Sequence, residues 1–284
     1  MSFHVLMPED THPSHTYQSL ETHAATRLRA EDVSVAYGET QIIGGLSLDI
    51  RDGKLTAIIG PNGCGKSTLL KAMARVLQVH SGRVLLDGES VHDMPTQEVA
   101  KSVALLPQGP VAPEGLRVRE LVAQGRFPHQ SLIRQWSRED AEAVARAMGA
   151  TDTEAFADRP IEALSGGQRQ RVWIAMVLAQ ETPILLLDEP TTFLDLKVQV
   201  DLMALLRRVA HEQGRTLVVV MHELNVAAAF AEYLVMMRAG AIQAEGPVLE
   251  VFTEQNLAAV FDLSARVLID PECGRPVCIP RMRS

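Results

Sequence analysis

Positive charge is the first shortage in this chain. Lys and Arg number 27 against 35 Asp and Glu, a formal net charge of −8 over 284 residues. A general nucleic-acid binder needs a basic footprint to displace counterions, and direct adhesion to an anionic lipid surface needs one too, so both classes are excluded. Cysteine is scarcer still. Cys64, Cys273 and Cys278 make three, an odd number, so no disulfide framework is expected and a reducing compartment fits. Long apolar runs are missing as well: short stretches such as 172–179 and 217–221 fall well short of the roughly 18 residues that cross a bilayer. The first 27 residues carry scattered charge and no continuous apolar segment, which excludes a secretory signal and reads as a flexible extension. Four of the nine histidines, His4, His12, His15 and His23, fall in it. Their irregular spacing without cysteine fits solvated chain better than a metal site. The expectation is a soluble, intracellular protein.

What the chain does have is apolar content, 46 %, enough for a substantial core. At about 150 residues per domain its length allows one large domain or two small ones. Order begins at residue 28. Residues 28–37 (LRAEDVSVAY) and 45–50 (GLSLDI) alternate as strands of an antiparallel sheet, and 83–88 returns to strand character. Residues 55–60 (LTAIIG) form an apolar strand ending in glycine, followed at 67–77 by helical spacing. Residues 118–150 read mostly as helix, 171–180 as helix, 183–190 as a short apolar strand, 197–213 as helix and 216–222 as another buried strand. Buried apolar strands alternating with amphipathic helices predict an α/β fold, a parallel sheet with helices on both faces.

GPNGCGKST spans Gly60, Pro61, Asn62, Gly63, Cys64, Gly65, Lys66, Ser67 and Thr68. It matches G-x-x-x-x-G-K-[ST] in the required context, with a strand before it and a helix after it. Glycines let successive backbone N–H groups curl around phosphate oxygens, and the new helix aims its positive end at the same anion. Lys66 is placed to reach the β- and γ-phosphates, and the Ser67 hydroxyl to ligate Mg²⁺. Cys64 reads as a small neutral filler. ILLLDEP (184–190) supplies the second half of a nucleotide site: Asp188 can hold Mg²⁺ directly or through water, and Glu189 can orient or deprotonate the attacking water.

LSGGQRQR (164–171) places Ser165, Gly166, Gly167 and Gln168 between these two motifs, just before the helix that leads to the carboxylate strand. With that order, the chain from residue 28 resembles an ABC ATPase. The resemblance implies a P-loop NTPase fold with a RecA-like parallel core. It adds an antiparallel β subdomain and an inserted helical subdomain at about 110–182, all within one ATPase domain spanning 28–284. It also implies ATP and Mg²⁺ as ligands and a head-to-tail dimer in which the phosphate loop of one copy and the Ser165–Gln168 cradle of the other enclose each ATP. Residue by residue, Tyr37 matches the aromatic that stacks on adenine. Gln108 matches the glutamine that joins Mg²⁺ coordination and senses the transport partner. Leu194 and Asp195 match the loop that communicates across the dimer, and His222 the switch histidine at the γ-phosphate.

GRFPHQ (125–130), SLIRQW (131–136), residues 165–182, DEPTTFLDL (188–196), MHELN (221–225) and the ending at 266–280 look more narrowly like the ATPase of bacterial ferric-siderophore importers, the enterobactin-type branch. ATPases of haem, cobalamin or other chelate importers are the neighbouring alternative, and a soluble non-transport ABC ATPase a more distant one. The partners implied are integral-membrane permease subunits, a second copy of the chain and, indirectly, a periplasmic or lipoprotein siderophore-binding protein. The implied location is the cytoplasmic face of the inner membrane, with no nucleic acid involved. Glu223 departs from the aspartate expected after the histidine.

Overall fold

The computed structural model describes residues 26–130 and 136–281. The histidine-bearing part of the extension, 1–25, and residues 131–135 of SLIRQW lie outside the described residues. The chain opens with β1 (Leu28–Tyr37) and β2 (Thr40–Asp49), a hairpin turning at Gly38, whose φ of 59° suits glycine. β2 starts five residues before the predicted strand, because Gly44 and Gly45 sit inside it where the β1 register shifts, and glycines inside a strand mask its signal. β3 (Leu55–Ile59) is buried along its whole length and leads through the glycine loop into α1 (Lys66–Met73). That helix stops four residues short of the predicted end, at a turn where Arg75 takes a φ of 58°.

β4 (Ser81–Leu86) and β5 (Glu89–Ser90) complete an antiparallel sheet of order β2-β1-β4-β5. α2 (Thr96–Ser102) then runs directly into β6 (Val103–Leu106). The segment expected as mostly helix is α3 (Val118–Gln124), a single 3₁₀ turn at Phe127–His129 containing Pro128, and α4 (Arg138–Ala150), which Ser137 caps. Proline and the new cap end one helix and start another. α5 (Gly166–Ala179) starts five residues before the predicted helix, because Ser165 caps it, and β7 (Ile184–Asp188), α6 (Leu196–Gln213) and β8 (Thr216–Val220) follow in the expected segments. Beyond them α7 (Leu224–Phe230), β9 (Tyr233–Arg238), β10 (Ala241–Pro247), α8 (Val248–Val251), α9 (Glu254–Phe261), β11 (Ala265–Ile269) and β12 (Pro276–Pro280) complete the described chain.

The central sheet runs β10-β9-β3-β8-β7-β6, and all its pairs are parallel except the β9–β10 hairpin. That hairpin turns through Ala239 and Gly240, both at positive φ, the two-residue turn whose twist matches flanking strands. Alternate strand residues point to opposite faces, which accounts for the two cores. Leu55, Ala57, Leu185, Leu187, Leu217 and Val219 pack into one core with residues of α3 to α7. Ile58, Ile184, Leu186, Val218 and Val220 pack into the other with α1 and the antiparallel sheet. Strands covered on both faces must be apolar at every position, which is why these segments read as unbroken hydrophobic runs. Among the described residues no helix is long and apolar enough to cross a membrane.

The helices between β6 and β7 are tied down by a buried ion pair. The Arg126 side chain, 5 % exposed, donates to Asp140, 1 % exposed, at 2.8 Å, to Ala179 O at 2.7 Å and to Glu181 at 2.9 Å. Burial pushes the Asp140 carboxyl up, but hydrogen bonds from Arg126 and Ser137 outweigh it and hold the group below its ordinary range. Arg126→Met leaves that carboxylate buried and unpaired. The expected loss of unfolding free energy at neutral pH is about 3–5 kcal/mol by denaturant titration. The native pairing stabilises above the ordinary carboxylate pKa and fades as pH falls through the lowered one, so the deficit of the variant should shrink on acidification.

Candidate active site

β3 delivers the glycine loop to the edge of the central sheet. A side chain at Gly60 would place its Cβ 2.2 Å from Met237 O and 2.8 Å from Cys64 Sγ, so the loop can close only on glycine there. Gly63 and Gly65 take φ values of 75° and 103°, and the Gly240 N–H donates to Cys64 O at 3.0 Å, which docks the loop on the β9–β10 turn. Lys66 is 4 % exposed, and its ammonium donates to Gly60 O at 2.9 Å and Pro61 O at 3.0 Å, crossing the loop it belongs to. Cys64 is buried and its thiol is pushed up by that burial, so it stays a neutral filler, as expected. The N-terminal N–H groups of α1 have no intrahelical partner and face the same cradle.

Parallel pairing brings the acidic pair to the same edge: Asp188 lies beside Val220 at the end of β7, and Val220 beside Ile58 of β3. The Ser67 hydroxyl donates to Asp188 Oδ1 at 2.8 Å. Asp188 is 2 % exposed and its Oδ2 is buried without a partner. Burial raises the carboxyl above its ordinary range. An orphaned anionic oxygen beside a serine hydroxyl is a hard-oxygen donor set, so these residues fit Mg²⁺.

Glu189 follows in a left-handed conformation, φ 52°, with its N–H bonded to Val220 O at 3.1 Å. Three donors converge on its carboxylate: His222 Nε2 meets Oε1, while Gln108 Nε2 at 2.6 Å and Thr192 Oγ1 at 3.2 Å donate to Oε2. The resulting cleft, about 570 Å³, is lined by Tyr37, Asn62, Gly63, Gly65, Lys66, Ser67, Thr68, Gln108, Glu189 and His222, with Ile42 and Thr192 added. The structure thus gathers these sequence-predicted residues from five separate segments. Tyr37 stands half exposed on the rim, with its ring available for a planar base. Thr192 was missed; its hydroxyl three residues after a carboxylate is the local signal that points to it. Ile42 was missed because β2 begins earlier than expected.

Ser165–Gln168 and Asp195 lie elsewhere. Ser165 caps α5: its Oγ accepts from the Gln168 N–H at 3.3 Å, and the Gln168 side chain accepts from the Ser165 N–H at 3.1 Å. Asp195 caps α6 by accepting from the Val198 N–H at 3.0 Å. A Cβ on Gly167 would come 2.8 Å from Val198 Cγ1, so the LSGGQ signature (164–168) and the start of α6 pack closely enough that a side chain there would require Val198 to shift. These residues line a second cleft of about 430 Å³ with Phe193 and Leu194, and it shares no lining residue with the first.

A parallel sheet whose strand ends present a glycine cradle, a lysine, a serine beside a buried aspartate, and a glutamate held by histidine defines a P-loop nucleoside triphosphatase. The ABC transporter family matches residues 43–192, and the chain belongs to that family, as an ATP-binding and ATP-hydrolysing cassette. It is 50 % identical over 252 residues to the iron(3+)-hydroxamate import ATP-binding protein FhuC of Bacillus subtilis (strain 168), covering 89 % of this chain and 94 % of that one. It is 46 % identical over 263 residues to the ferric enterobactin transport ATP-binding protein FepC of Escherichia coli (strain K12), covering 93 % and 97 %. The dimeric structure of MJ0796, a bacterial ABC transporter cassette, superposes with a TM-score of 0.69 at 30 % identity, over 78 % of this chain and 98 % of that one.

The raised Asp188 pKa has a stability consequence of definite sign. The folded state favours the proton, so ionisation costs stability as pH rises through the window between the ordinary and the raised value, and the cost is complete above it. Asp188→Asn removes that cost. In nucleotide- and metal-free buffer at neutral pH its denaturation midpoint should equal or exceed that of wild type, and a clearly lower midpoint contradicts the assignment.

Proposed function

We propose that the chain is the ATP-hydrolysing subunit of an importer for ferric siderophores. In this reading two copies bind permease subunits at the cytoplasmic face of a bacterial inner membrane, downstream of a periplasmic or lipoprotein siderophore-binding protein. The similarity to the hydroxamate and enterobactin ATP-binding proteins over about nine-tenths of the chain carries the cargo assignment. A permease helix docks in the groove near Gln108 and the helical segment 118–150.

The convergence on Glu189 supports the chemical roles. The phosphate loop and Lys66 hold the β- and γ-phosphates, and Tyr37 stacks on adenine. His222 and Gln108 fix the Glu189 carboxylate, which takes the proton of the attacking water as its oxygen bonds to the γ-phosphorus and the bond to the β–γ bridging oxygen breaks, releasing ADP. His222 then faces the terminal phosphate. Ser67, Asp188 and Gln108 would hold Mg²⁺, which would supply neutralisation of charge on the β- and γ-phosphate oxygens. Ser165–Gln168 and Asp195 of the second copy complete the enclosure, so ATP favours the closed pair over the open one and hydrolysis removes that preference.

Glu189→Gln keeps the shape and loses the base. ATP affinity should stay near wild type while turnover drops about 10²- to 10⁴-fold, measured by nucleotide titration and phosphate release, and undiminished turnover removes Glu189 from this role. Lys66→Ala should weaken nucleotide binding itself. For the cargo, a deletion strain should fail to grow on a ferric siderophore as sole iron source and recover with wild type but not with Lys66→Ala. Failure confined to haem or another chelate reassigns the importer.

A further inference from the structure

Glu223 follows the proposed switch histidine yet lines neither cleft. Its carboxylate accepts from Thr191 Oγ1 at 3.1 Å through Oε2 and from Gln199 Nε2 at 3.3 Å through Oε1. Gln199 sits near the start of α6 and is 9 % exposed. Its amide also donates to Leu194 O at 3.1 Å, with Thr191 O at 3.4 Å. A buried amide with this many carbonyl and carboxylate acceptors is oriented one way only, and a carboxylate that accepts from two different elements ties them together.

The elements tied are not neighbours in sequence. On one side lies the segment after β8 that carries His222. On the other lies the turn from Glu189 to Asp195, which folds back on itself through Thr192 N–H to Glu189 O at 3.3 Å and Leu194 N–H to Thr191 O at 3.2 Å. Two of its residues, Glu189 and Phe193, hold positive φ values of 52° and 63°. Side-chain-bearing residues keep that conformation only where surroundings over-determine it. Phe193 is fully exposed and contributes no such support. One end of this turn is the Glu189 carboxylate in the phosphate-loop cleft, and the other is Leu194–Asp195 in the signature cleft.

We propose that Glu223 and Gln199 form a clamp that fixes this turn against the His222 segment, making both positioning residues for hydrolysis. The clamp holds the reacting carboxylate and the Asp195 edge at one spacing, so that the two clefts report on each other. The extra methylene of Glu223 follows from this geometry: aspartate, shorter by about 1.5 Å, cannot reach both Thr191 and Gln199. The inference rests on the proposed function and deepens it.

The test uses the full-length chain with its permease, with kcat and KM for ATP normalised to nucleotide-binding sites titrated in the same sample. Glu223→Ala and Gln199→Ala should each lower kcat about 10-fold with KM changed less than about twofold, and the double variant should be no worse than either single one. Glu223→Gln, which can still accept from Gln199 while the Thr191 hydroxyl turns to accept from it, should recover most of the activity. Glu223→Asp should behave like the alanine variant. A merely structural role lowers the titrated site count and the denaturation midpoint while leaving kcat per site unchanged, and that result overturns the clamp. Additive losses in the double variant overturn it too. Wild type is assayed alongside: without ATP turnover there, the proposed function fails, whereas active wild type with unaffected variants refutes the clamp alone.

Discussion

The constraint on which the rest depends is spatial. The chain builds two clefts that have no lining residue in common. One is a cradle of glycine N–H groups and lysine at the end of β3, and the other is a serine-capped helix start at α5. In the proposed function each offers donors to one side of a polyphosphate. A nucleotide in one cleft of one chain is therefore cradled from one direction only, and the proposed pairing of two copies supplies the other. The switch follows from that incompleteness, since a ligand that contacts both halves only when they meet shifts the equilibrium toward meeting.

The sheet makes the first cleft possible. In a parallel sheet all strand C-terminal ends reach the same edge, and ligands gather there. The ends of β3, β8, β7 and β6 accordingly bring Gly60, His222, Asp188 and Gln108 together from positions spread over more than half of the sequence. Two-sided burial fixes the register of those strands, because a one-residue slip would exchange their contacts between the two cores. The antiparallel sheet then places Tyr37 at the rim. Burial of Asp188 raises its pKa and leaves one oxygen without a partner, an arrangement that stability alone does not favour. The proposed Mg²⁺ would supply the missing partner.

Much of this was legible in sequence, and the reason is contiguity. The glycine loop, the Asp188–Glu189 pair and the Ser165–Gln168 turn are short runs in which spacing alone encodes backbone shape, and the apolar strands announce two-sided burial. The features that escaped did so partly for local reasons and partly because they depend on contacts between distant segments. The early start of β2 was hidden by Gly44 and Gly45, the break at Pro128 and Ser137 by a composition that remains helical overall, and the end of α1 by apolar residues that continue past Arg75. The elements after His222 were read only as a likeness, although Ala239–Gly240 between apolar runs is a hairpin signal. The surroundings of Glu223 could not be read at all, because Thr191 and Gln199 are linked to it only by folding.

The direct measurement of the central claim is complementation between two disabled chains. Lys66→Ala damages the phosphate-loop cleft and Ser165→Arg the signature cleft, and each alone should be inactive as a pair with itself. Mixed before assembly with the permease, half of the dimers combine one of each, and each such dimer contains one site carrying both faults and one carrying neither. The account predicts that hydrolysis returns to about a quarter of the wild-type level in an equimolar mixture. No recovery, with mixed dimers shown to form, would place both halves of the site in one chain and contradict it.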